Sequence, residues 1–311
     1  MAVSSHLSDF GLALRPELYA NKEILDFVRH ADDAGNISHV FFPDIPDGNE
    51  PIELSMASLA VTNRVKIGSG VLRLMEHDPN ILARRLQTIQ FLSGNRFVLG
   101  IGAGSSGPNP GQTIERMFSL LENTRRSFTS NDLVKFPDVF VAALKPLMAT
   151  KSIEHADGLL LNFCSPEYAK RLTDKLNFGK TSKSIACYIK IFFARKNEDA
   201  DKLLIEEFAK YDKFPQYHKM FENDGVSDLI TLAKEGLSDG CVRIPERLKR
   251  ICLSNPSTAD LISLLVEFRR SGISLPCVYP YFSIGEGSKF KRQAMNLISE
   301  ACRSLVRKRS K

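Results

Sequence analysis

Short apolar runs alternate along the chain with stretches in which apolar residues recur at helical spacing. In residues 23–34, for example, Ile24, Phe27, Val28 and Ala31 share one face, and Gly35 follows as a helix stop. The apolar runs predict eight strands, at residues 10–14, 39–42, 65–69, 96–101, 139–142, 158–162, 184–193 and 275–281. Several of them contain no polar break, which is typical of parallel strands covered on both faces.

Strands that alternate with helices at this length indicate either a parallel barrel or an open doubly wound sheet. We predict a single (β/α)8 TIM barrel in the α/β class, with a polar helical insertion before the last strand, at about residues 198–249. No linker rich in Pro, Gly or Ser divides the chain, so residues 1–311 are predicted to form one domain. In such a barrel, functional residues lie where strands end and helices begin.

The strand at residues 96–101 runs into alternating glycines, Gly100, Gly102 and Gly104. Glycines at a strand end let a phosphate or a flat ring approach the backbone closely. Gly102, Gly104 and Gly107 also spell G-x-G-x-x-G, but a dinucleotide site needs a helix that starts within the glycine loop. Pro108 and Pro110 favour an extended exit instead, and helical periodicity resumes only near Gln112. The pattern therefore favours a glycine-rich binding loop outside the dinucleotide fold.

Composition is that of an ordinary globular protein, with 43% hydrophobic and 25% charged residues among 311. No run approaches the ~20 apolar residues of a membrane span, and MAVSSHLSDF does not resemble a secretory signal. The six cysteines form no C-x-x-C, and the six histidines form no H-x-x-x-H, so no metal site is predicted. The net charge of +6 comes partly from the tail RSLVRKRSK, without an aromatic-rich basic motif. We therefore expect a cytoplasmic protein with no nucleic-acid or membrane partner.

Long motifs carry a family resemblance. Residues 63–104, NRVKIGSGVLRLMEHDPNILARRLQTIQFLSGNRFVLGIGAG, resemble the core signature of the luciferase-like flavin and deazaflavin oxidoreductases. HADDAGNISHVFFPD (30–44), FVAALKPLMATKSIEHADGLLLNFCSPEYAKRL (140–172) and IACYIKIFFA (185–194) extend the match in the expected order. The second-half motifs are similar to the archaeal methylenetetrahydromethanopterin reductase branch, which uses the deazaflavin coenzyme F420.

The resemblance implies a barrel that forms a homodimer through its early helices and transfers a hydride between coenzyme F420 and a small, pterin-like substrate. Asp44, at the end of the second strand, matches an acidic residue and is predicted to be catalytic. The turn after the third strand matches a position where the family commonly has a cis non-prolyl peptide that supports the ring. The predicted cofactor-binding residues are Ser69, Gly70, Val71, Gly102, Ala103, Gly104, Ser105 and Asn162.

Two departures from the family bear on the substrate. Several members have His directly after the strand-two Asp, where this chain has Ile45, and dehydrogenases carry Glu where this chain has Ser105. Without those groups, alcohol oxidation has no evident proton acceptor. An iminium-type pterin substrate is already electrophilic, so the departures favour the pterin reductase. Glu76 and His77, in the loop after the third strand, either contact a ligand or are solvated.

Two alternatives stay open at this point. The first is an FMN-dependent luciferase-like monooxygenase, because the same signature serves both cofactors. The second is a catalytically silent barrel that acts as a binding or subunit partner, because the base and acid of the alcohol dehydrogenases are missing.

Overall fold

The computed structural model describes residues 9–20, 22–46, 48–104, 109–177, 181–238 and 243–307. Its strands are β1 (Gly11–Ala13), β2 (His39–Phe42), β3 (Lys66–Arg73), β4 (Phe97–Gly102), β5 (Asp138–Ala142), β6 (Gly158–Asn162), β7 (Ser184–Phe193), β8 (Leu253–Ser254) and β9 (Leu275–Phe282). Its helices are α1 (Glu23–Ala34), α2 (Pro51–Leu59), α3 (Pro79–Ser93), α4 (Pro110–Ser127), α5 (Pro146–His155), α6 (Pro166–Lys175), α7 (Asn197–Asp212), α8 (Pro215–Asn223), α9 (Ser227–Ser238), α10 (Glu246–Lys249), α11 (Thr258–Arg270) and α12 (Ser288–Arg307).

The order of elements confirms the predicted (β/α)8 fold class, with helices α7 to α10 as the predicted insertion. Residue contacts group the chain into two compact units. The N-terminal unit comprises residues 11–160, and the C-terminal unit comprises residues 1–10 with 161–311. The single-domain assignment stays a prediction.

Within the N-terminal unit, β1 to β5 and the start of β6 pair in parallel and in chain order. In a doubly wound sheet, the order of the strands reverses at one point in the sheet, whereas in a barrel each strand pairs with the next one in the chain. The observed pairing is therefore that of a barrel. The strands are apolar on both faces, and Val40, Ile67, Val98, Leu99 and Val141 are fully buried. The carboxyl ends of β2 to β5 therefore meet at one edge of this unit.

Proline begins five successive helices, α2 to α6, with Pro51, Pro79, Pro110, Pro146 and Pro166 in their first turns. The fixed φ of proline suits the first turn, where its missing N–H has no intrahelical acceptor to lose. Pro110 thus begins α4, whereas the sequence analysis predicted the helix start near Gln112 and assigned Pro110 to an extended exit. That prediction was wrong because proline inside a first turn is compatible with a helix.

In the C-terminal unit, β7 pairs in parallel with β8 and with β9. The helices cover a core that includes Ile189, Phe192, Phe208 and Phe268. The two-residue strand β8 was not predicted from the sequence. Its residues Leu253 and Ser254 pair with Ile191 and Phe192, so it depends on β7 rather than on an apolar run of its own.

Candidate functional site

The candidate site in the N-terminal unit begins with an irregularity in β3. Ser69 pairs with Leu99, but the next pair along is Leu72 with Ile101, so the register shifts between them. The peptide bond between Gly70 and Val71 is cis, as the family resemblance implies. The shift lets β3 continue to Arg73, four residues beyond the end predicted from the sequence.

Glycines make the close pairing of β3 and β4 possible. A Cβ on Gly68 would overlap the carbonyl oxygen of Val98, and a Cβ on Gly100 would overlap that of Ser69. A Cβ on Gly102 would lie 2.8 Å from Cγ2 of Val71. These glycines are buried, so their first role is to admit a neighbouring strand rather than a ligand.

A low, apolar area lies at the ends of β3, β4 and β5. We call it the small-residue floor and define it by Val71, Gly102, Ala103 and Ala142. The Cβ of Ala142 is 3.6 Å from where a Cβ on Gly102 would lie, so β4 and β5 meet there. Val71, Ala103 and Ala142 are only half-buried. A flat ring can lie against such a floor because its four residues have short side chains or none.

Ser69 and Gly104 differ in how they border this floor. The Ser69 hydroxyl is fully buried and donates to the carbonyl oxygen of Gly100 at 2.8 Å, so it ties β3 to β4. Gly104 is exposed and has a left-handed φ of +66°. A Cβ on Gly104 would meet only Cγ of Arg73 within 4 Å, at 3.9 Å. At Gly104 the backbone therefore turns in open space beside Arg73. Ser105 lies outside the described residues.

Asp44 follows β2 and is fixed by Arg73 at the end of β3. Its Oδ2 accepts from the main-chain N–H of Arg73 at 2.9 Å, and its Oδ1 accepts from Nη2 of the same residue at 3.0 Å. Nη1 of Arg73 donates to Glu76 Oε1 at 2.8 Å. The Asp44 side chain is 10% exposed, against 29% for Arg73. A sheltered carboxylate with a charged partner is held in one orientation.

His77 follows the helical turn Leu74–Glu76 at the end of β3. Burial, and then the positive charge of Arg85, lower the pKa of this imidazole below its ordinary value, while Asp44 and Glu76 oppose the shift. The imidazole is therefore neutral at pH 7. Asp78, the next residue, caps α3 by accepting from the N–H groups of Asn80 and Ile81.

Asn162, the remaining predicted cofactor contact, lies in the C-terminal unit. Its Nδ2 donates to the phenol oxygens of Tyr211, at 3.2 Å, and of Tyr217, at 2.9 Å. The amide thus joins the end of β6 to α7 and α8. A cofactor contact at Asn162 stays a prediction.

A sealed charge cluster neighbours Asn162 through Tyr211. Lys190 is fully buried in β7, and its Nζ lies 2.5 Å from Glu207 Oε1. The same Nζ is 3.7 Å from the ring centroid of Tyr211 and 4.5 Å from that of Phe163. Burial alone would raise the pKa of Glu207, but the charge and hydrogen bond of Lys190, with Lys210 and Tyr281, lower it overall. We interpret this cluster as structural, because both charges are paired and enclosed.

The structure thus brings seven predicted residues to one edge of the N-terminal unit: Asp44, Ser69, Gly70, Val71, Gly102, Ala103 and Gly104. The sequence analysis missed Arg73, although an arginine that ends an apolar strand is a signal in a barrel. It also missed Lys190, the one charged residue within the ten of β7. Among the described residues, no group of three or more His, Cys, Asp or Glu side chains could hold a metal ion. None of the described helices has the length and apolar character needed to cross a membrane.

Comparison with known proteins confirms the family resemblance. Residues 10–117 match the family model described as luciferase-like monooxygenase. The chain is 24% identical over 219 residues to 5,10-methylenetetrahydromethanopterin reductase of Archaeoglobus fulgidus. That alignment covers 62% of this chain and 65% of the relative, which is slightly less than two thirds of its length.

Solved structures agree on the fold. An F420-dependent secondary alcohol dehydrogenase in complex with an F420–acetone adduct superposes with a TM-score of 0.71 and 15% identity, over 96% of this chain and 99% of the other. The oxygenating constituent of 3,6-diketocamphane monooxygenase from Pseudomonas putida, in complex with FMN, gives a TM-score of 0.62 and 15% identity, over 95% and 98%. Similarities at this identity show the fold alone. The related proteins are oxidoreductases that differ in cofactor.

Proposed function

We propose that this protein is a coenzyme F420-dependent oxidoreductase that transfers a hydride between the deazaflavin and a small substrate. The observation that carries the proposal is the small-residue floor at the ends of β3 to β5, with the Asp44–Arg73 pair beside it. A planar ring system fits a floor without tall side chains, and a fixed carboxylate can orient a substrate above it.

The residues of this chain would bind and orient the two reactants. Val71, Ala103 and Ala142 offer apolar contact to one ring face, and Gly102 keeps the floor low. Gly104, exposed and in a left-handed conformation, offers main-chain groups to the polar part of the cofactor. When bound, the deazaflavin supplies a ring carbon that accepts or donates a hydride. The protein's contribution is alignment and exclusion of water.

Asp44 would act on the substrate through its charge. Arg73 holds both carboxylate oxygens, so the group is preorganised and moves little when a substrate arrives. A negative group beside the ring stabilises positive charge on a substrate carbon, as on an iminium. The archaeal relative is named for a pterin-bound one-carbon unit of this class. Such a unit is therefore a substrate to test.

Titration of the purified protein with F420 and with FMN tests the cofactor assignment. We expect quenching of F420 fluorescence at lower concentration than quenching of FMN. A Gly102→Ala variant should weaken F420 binding, since its Cβ displaces Val71, whereas Gly111→Ala in the first turn of α4 should not.

Tighter FMN binding, with oxygen consumption by the reduced flavin, would move the assignment to the FMN-dependent monooxygenase. That alternative is favoured by the family-model match and by the FMN-bound neighbour. Absence of binding to both cofactors would favour the catalytically silent barrel.

The proposed assembly is a homodimer through α2 and α3. A groove of about 310 Å³ lies between these helices, lined in part by Ile52, Met56 and Ile81. Ile81 and Leu92 are exposed by 60% and 65%, and they share one face of α3. Sedimentation velocity should show a dimer that Ile81→Asp converts to a monomer. A wild-type monomer would exclude this assembly.

A further inference from the structure

Two thiols are in contact in the C-terminal unit. Cys164 follows β6, and Cys187 belongs to β7. Their sulfur atoms are 3.7 Å apart, and both side chains are fully buried. The two residues are 23 positions apart in sequence, so the contact depends on how the chain folds rather than on a local motif. Beside the cysteines, the main-chain N–H of Phe163 donates to the carbonyl oxygen of Tyr188 at 3.3 Å and joins the two segments.

The backbone around Cys164 is held on both sides. Phe163 has a left-handed φ of +53°, and its ring centroid lies 4.6 Å from that of Phe208 in α7. Ser165 caps α6, where its hydroxyl oxygen accepts from a main-chain N–H of the first turn at 2.9 Å. Cys164 therefore lies between two anchored residues, and its sulfur stays close to that of Cys187 in the folded protein.

The direct contact between sulfur atoms distinguishes this pair from the other cysteines that the structure describes. Three of these are also buried, but none of their thiols is hydrogen-bonded to another thiol: Cys252, Cys277 and Cys302. The Cys277 thiol instead donates to the carbonyl oxygen of Leu275 at 3.4 Å. Cys241 lies outside the described residues.

The enclosure of the pair decides which reagents reach it. Burial, together with Cys164 and the nearby Cys277, raises the pKa of Cys187 well above its ordinary value. The thiol therefore stays protonated in the folded protein, and a buried, protonated thiol reacts poorly with bulky alkylating reagents. Hydrogen peroxide is small and uncharged, so brief local openings are enough to admit it. A sulfenic acid on either sulfur would lie beside a second thiol, with which it can condense.

We propose that Cys164 and Cys187 are a redox-modification site, at which a peroxide converts the two thiols to a disulfide. One thiol sulfur attacks the peroxide, the O–O bond breaks, and water leaves as a sulfenic acid forms. The other thiol attacks this oxidised sulfur, the S–S bond forms, and a second water leaves. Two thiols and one hydrogen peroxide thus give one disulfide and two waters. The step involves neither F420 nor the small-residue floor, so it is independent of the proposed function.

Peptide mapping of the wild-type protein tests this assignment. Reduced protein, freed of reductant, is treated with hydrogen peroxide, unfolded in iodoacetamide to block the remaining thiols, and digested with trypsin without reduction. We expect one linked species that joins residues 152–170 to residues 184–190, because trypsin cleaves after Lys151, Lys170, Lys183 and Lys190. Dithiothreitol should separate the two peptides again.

Thermal unfolding gives a second measurement. The disulfide closes a loop that contains α6, and a closed loop restricts the unfolded chain. The melting temperature should therefore rise by about 5 °C on oxidation and return to its first value on reduction.

Cys187→Ala removes one sulfur of the pair, and Cys302→Ala is the matched control. Cys302 is equally buried, in α12, and its thiol is bonded to no other thiol within the described part of the chain. After peroxide, Cys187→Ala should show neither the linked species nor the rise in melting temperature, whereas Cys302→Ala should show both. Wild type treated with peroxide in urea should give several linked pairs, because the fold no longer selects which sulfurs meet.

The mapping of folded wild type decides the outcome even if a variant fails to fold. Absence of a link between residues 152–170 and 184–190 would overturn the proposal, whether the sulfurs stay reduced or gain oxygen as sulfinic acids. A link that joins Cys187 to Cys277 instead, or the same mixture of pairs in native protein as in urea, would also overturn it.

Discussion

Each end of the N-terminal unit holds an imidazole, a basic side chain and a carboxylate, but the two ends differ in how far the carboxylate is exposed. At the strand starts, the ring of the half-buried His39 contacts Ser38, while Lys66 and Asp138 form an ion pair at 2.7 Å with 42% and 52% of their side chains exposed. At the strand ends, the Asp44 carboxylate is the sheltered group, and the imidazole of His77 is half-open.

The two carboxylates therefore differ in what they contribute. An exposed ion pair such as Lys66–Asp138 contributes roughly 0–1 kcal/mol, because water screens it. A buried neutral imidazole belongs to the folded state alone and makes stability depend on pH. At the strand ends, the sheltered Asp44 carboxylate is instead fixed by two hydrogen bonds from Arg73. In (β/α)8 barrels in general, residues at the carboxyl ends of the strands serve function and residues at the opposite ends serve stability, and the difference between Asp44 and Asp138 is consistent with this rule.

Asp44→Asn gives the largest expected effect. The amide keeps the size of the side chain but removes its charge, so turnover should fall by ~10²-fold or more, equivalent to about 2.7 kcal/mol of barrier. F420 affinity should change little, because the small-residue floor is intact. The measurement is single-turnover hydride transfer at saturating F420.

Asp138→Asn is the matched control at the other end of the same unit. It removes one carboxylate from an exposed pair, so turnover should stay at the wild-type value. Equal losses in the two variants would mean that Asp44 acts through general electrostatics or folding. No loss in Asp44→Asn would mean that the carboxylate only anchors Arg73.

His39 should account for the next largest effect, on stability at low pH. Burial lowers the pKa of His39 to about 3 in the folded protein, whereas the unfolded chain takes up the proton near pH 6.5. The stability that His39 contributes is therefore complete above pH 6.5 and is lost as pH falls toward 3. At pH 5 the loss is about 2 kcal/mol.

Urea unfolding at pH 7.5 and pH 5 measures this loss. The difference between the two pH values should be smaller in His39→Gln than in wild type by that amount. His77→Gln should change the difference less, because its ring is more open. An unchanged difference in His39→Gln would show that the imidazole charges without unfolding.

Gly102→Ala should have the smallest effect on stability, about 1 kcal/mol, since the added methyl pushes on one Val71 methyl that has room to move toward the half-open floor. Gly111→Ala, in the first turn of α4, should be neutral or stabilising. Thermal unfolding compares the two. Equal melting temperatures for Gly102→Ala and wild type would mean that β3 adjusts freely beneath the floor.

Much of the fold follows from the sequence because its strands are uninterrupted apolar runs. β2, β6 and β7 occupy their predicted residues, α1 matches the helix predicted at residues 23–34, and α4 begins two residues before the predicted Gln112. β3 was predicted to end at Ser69, but the strand continues through Gly70 to Arg73, with a shift in its register against β4 after Ser69. A local pattern of apolar residues cannot reveal such a shift, because it depends on the neighbouring strand.

The sequence was enough to predict that the candidate site lies at the ends of the strands, but not which side chains contact one another there. Asp44 and Gly102 follow from the rule that function lies at strand ends. The bond between Asp44 and Arg73 joins residues 29 apart in sequence, and the arrangement of Arg85 and His77 depends on how α3 packs. From the sequence alone, the absence of a histidine directly after Asp44 favoured an iminium substrate over an alcohol.

The enclosure of Lys190 has a practical consequence for following the protein in solution. An amine-reactive reagent modifies lysines that water reaches, such as Lys66, within the native state. It reaches Lys190 only when α7 separates from β7, because aromatic rings and Glu207 surround the amine. Mass spectrometry can measure the modification of both lysines in one sample. The extent of modification at Lys66 then reports the exposure to reagent, and the extent at Lys190 reports how often the C-terminal unit opens.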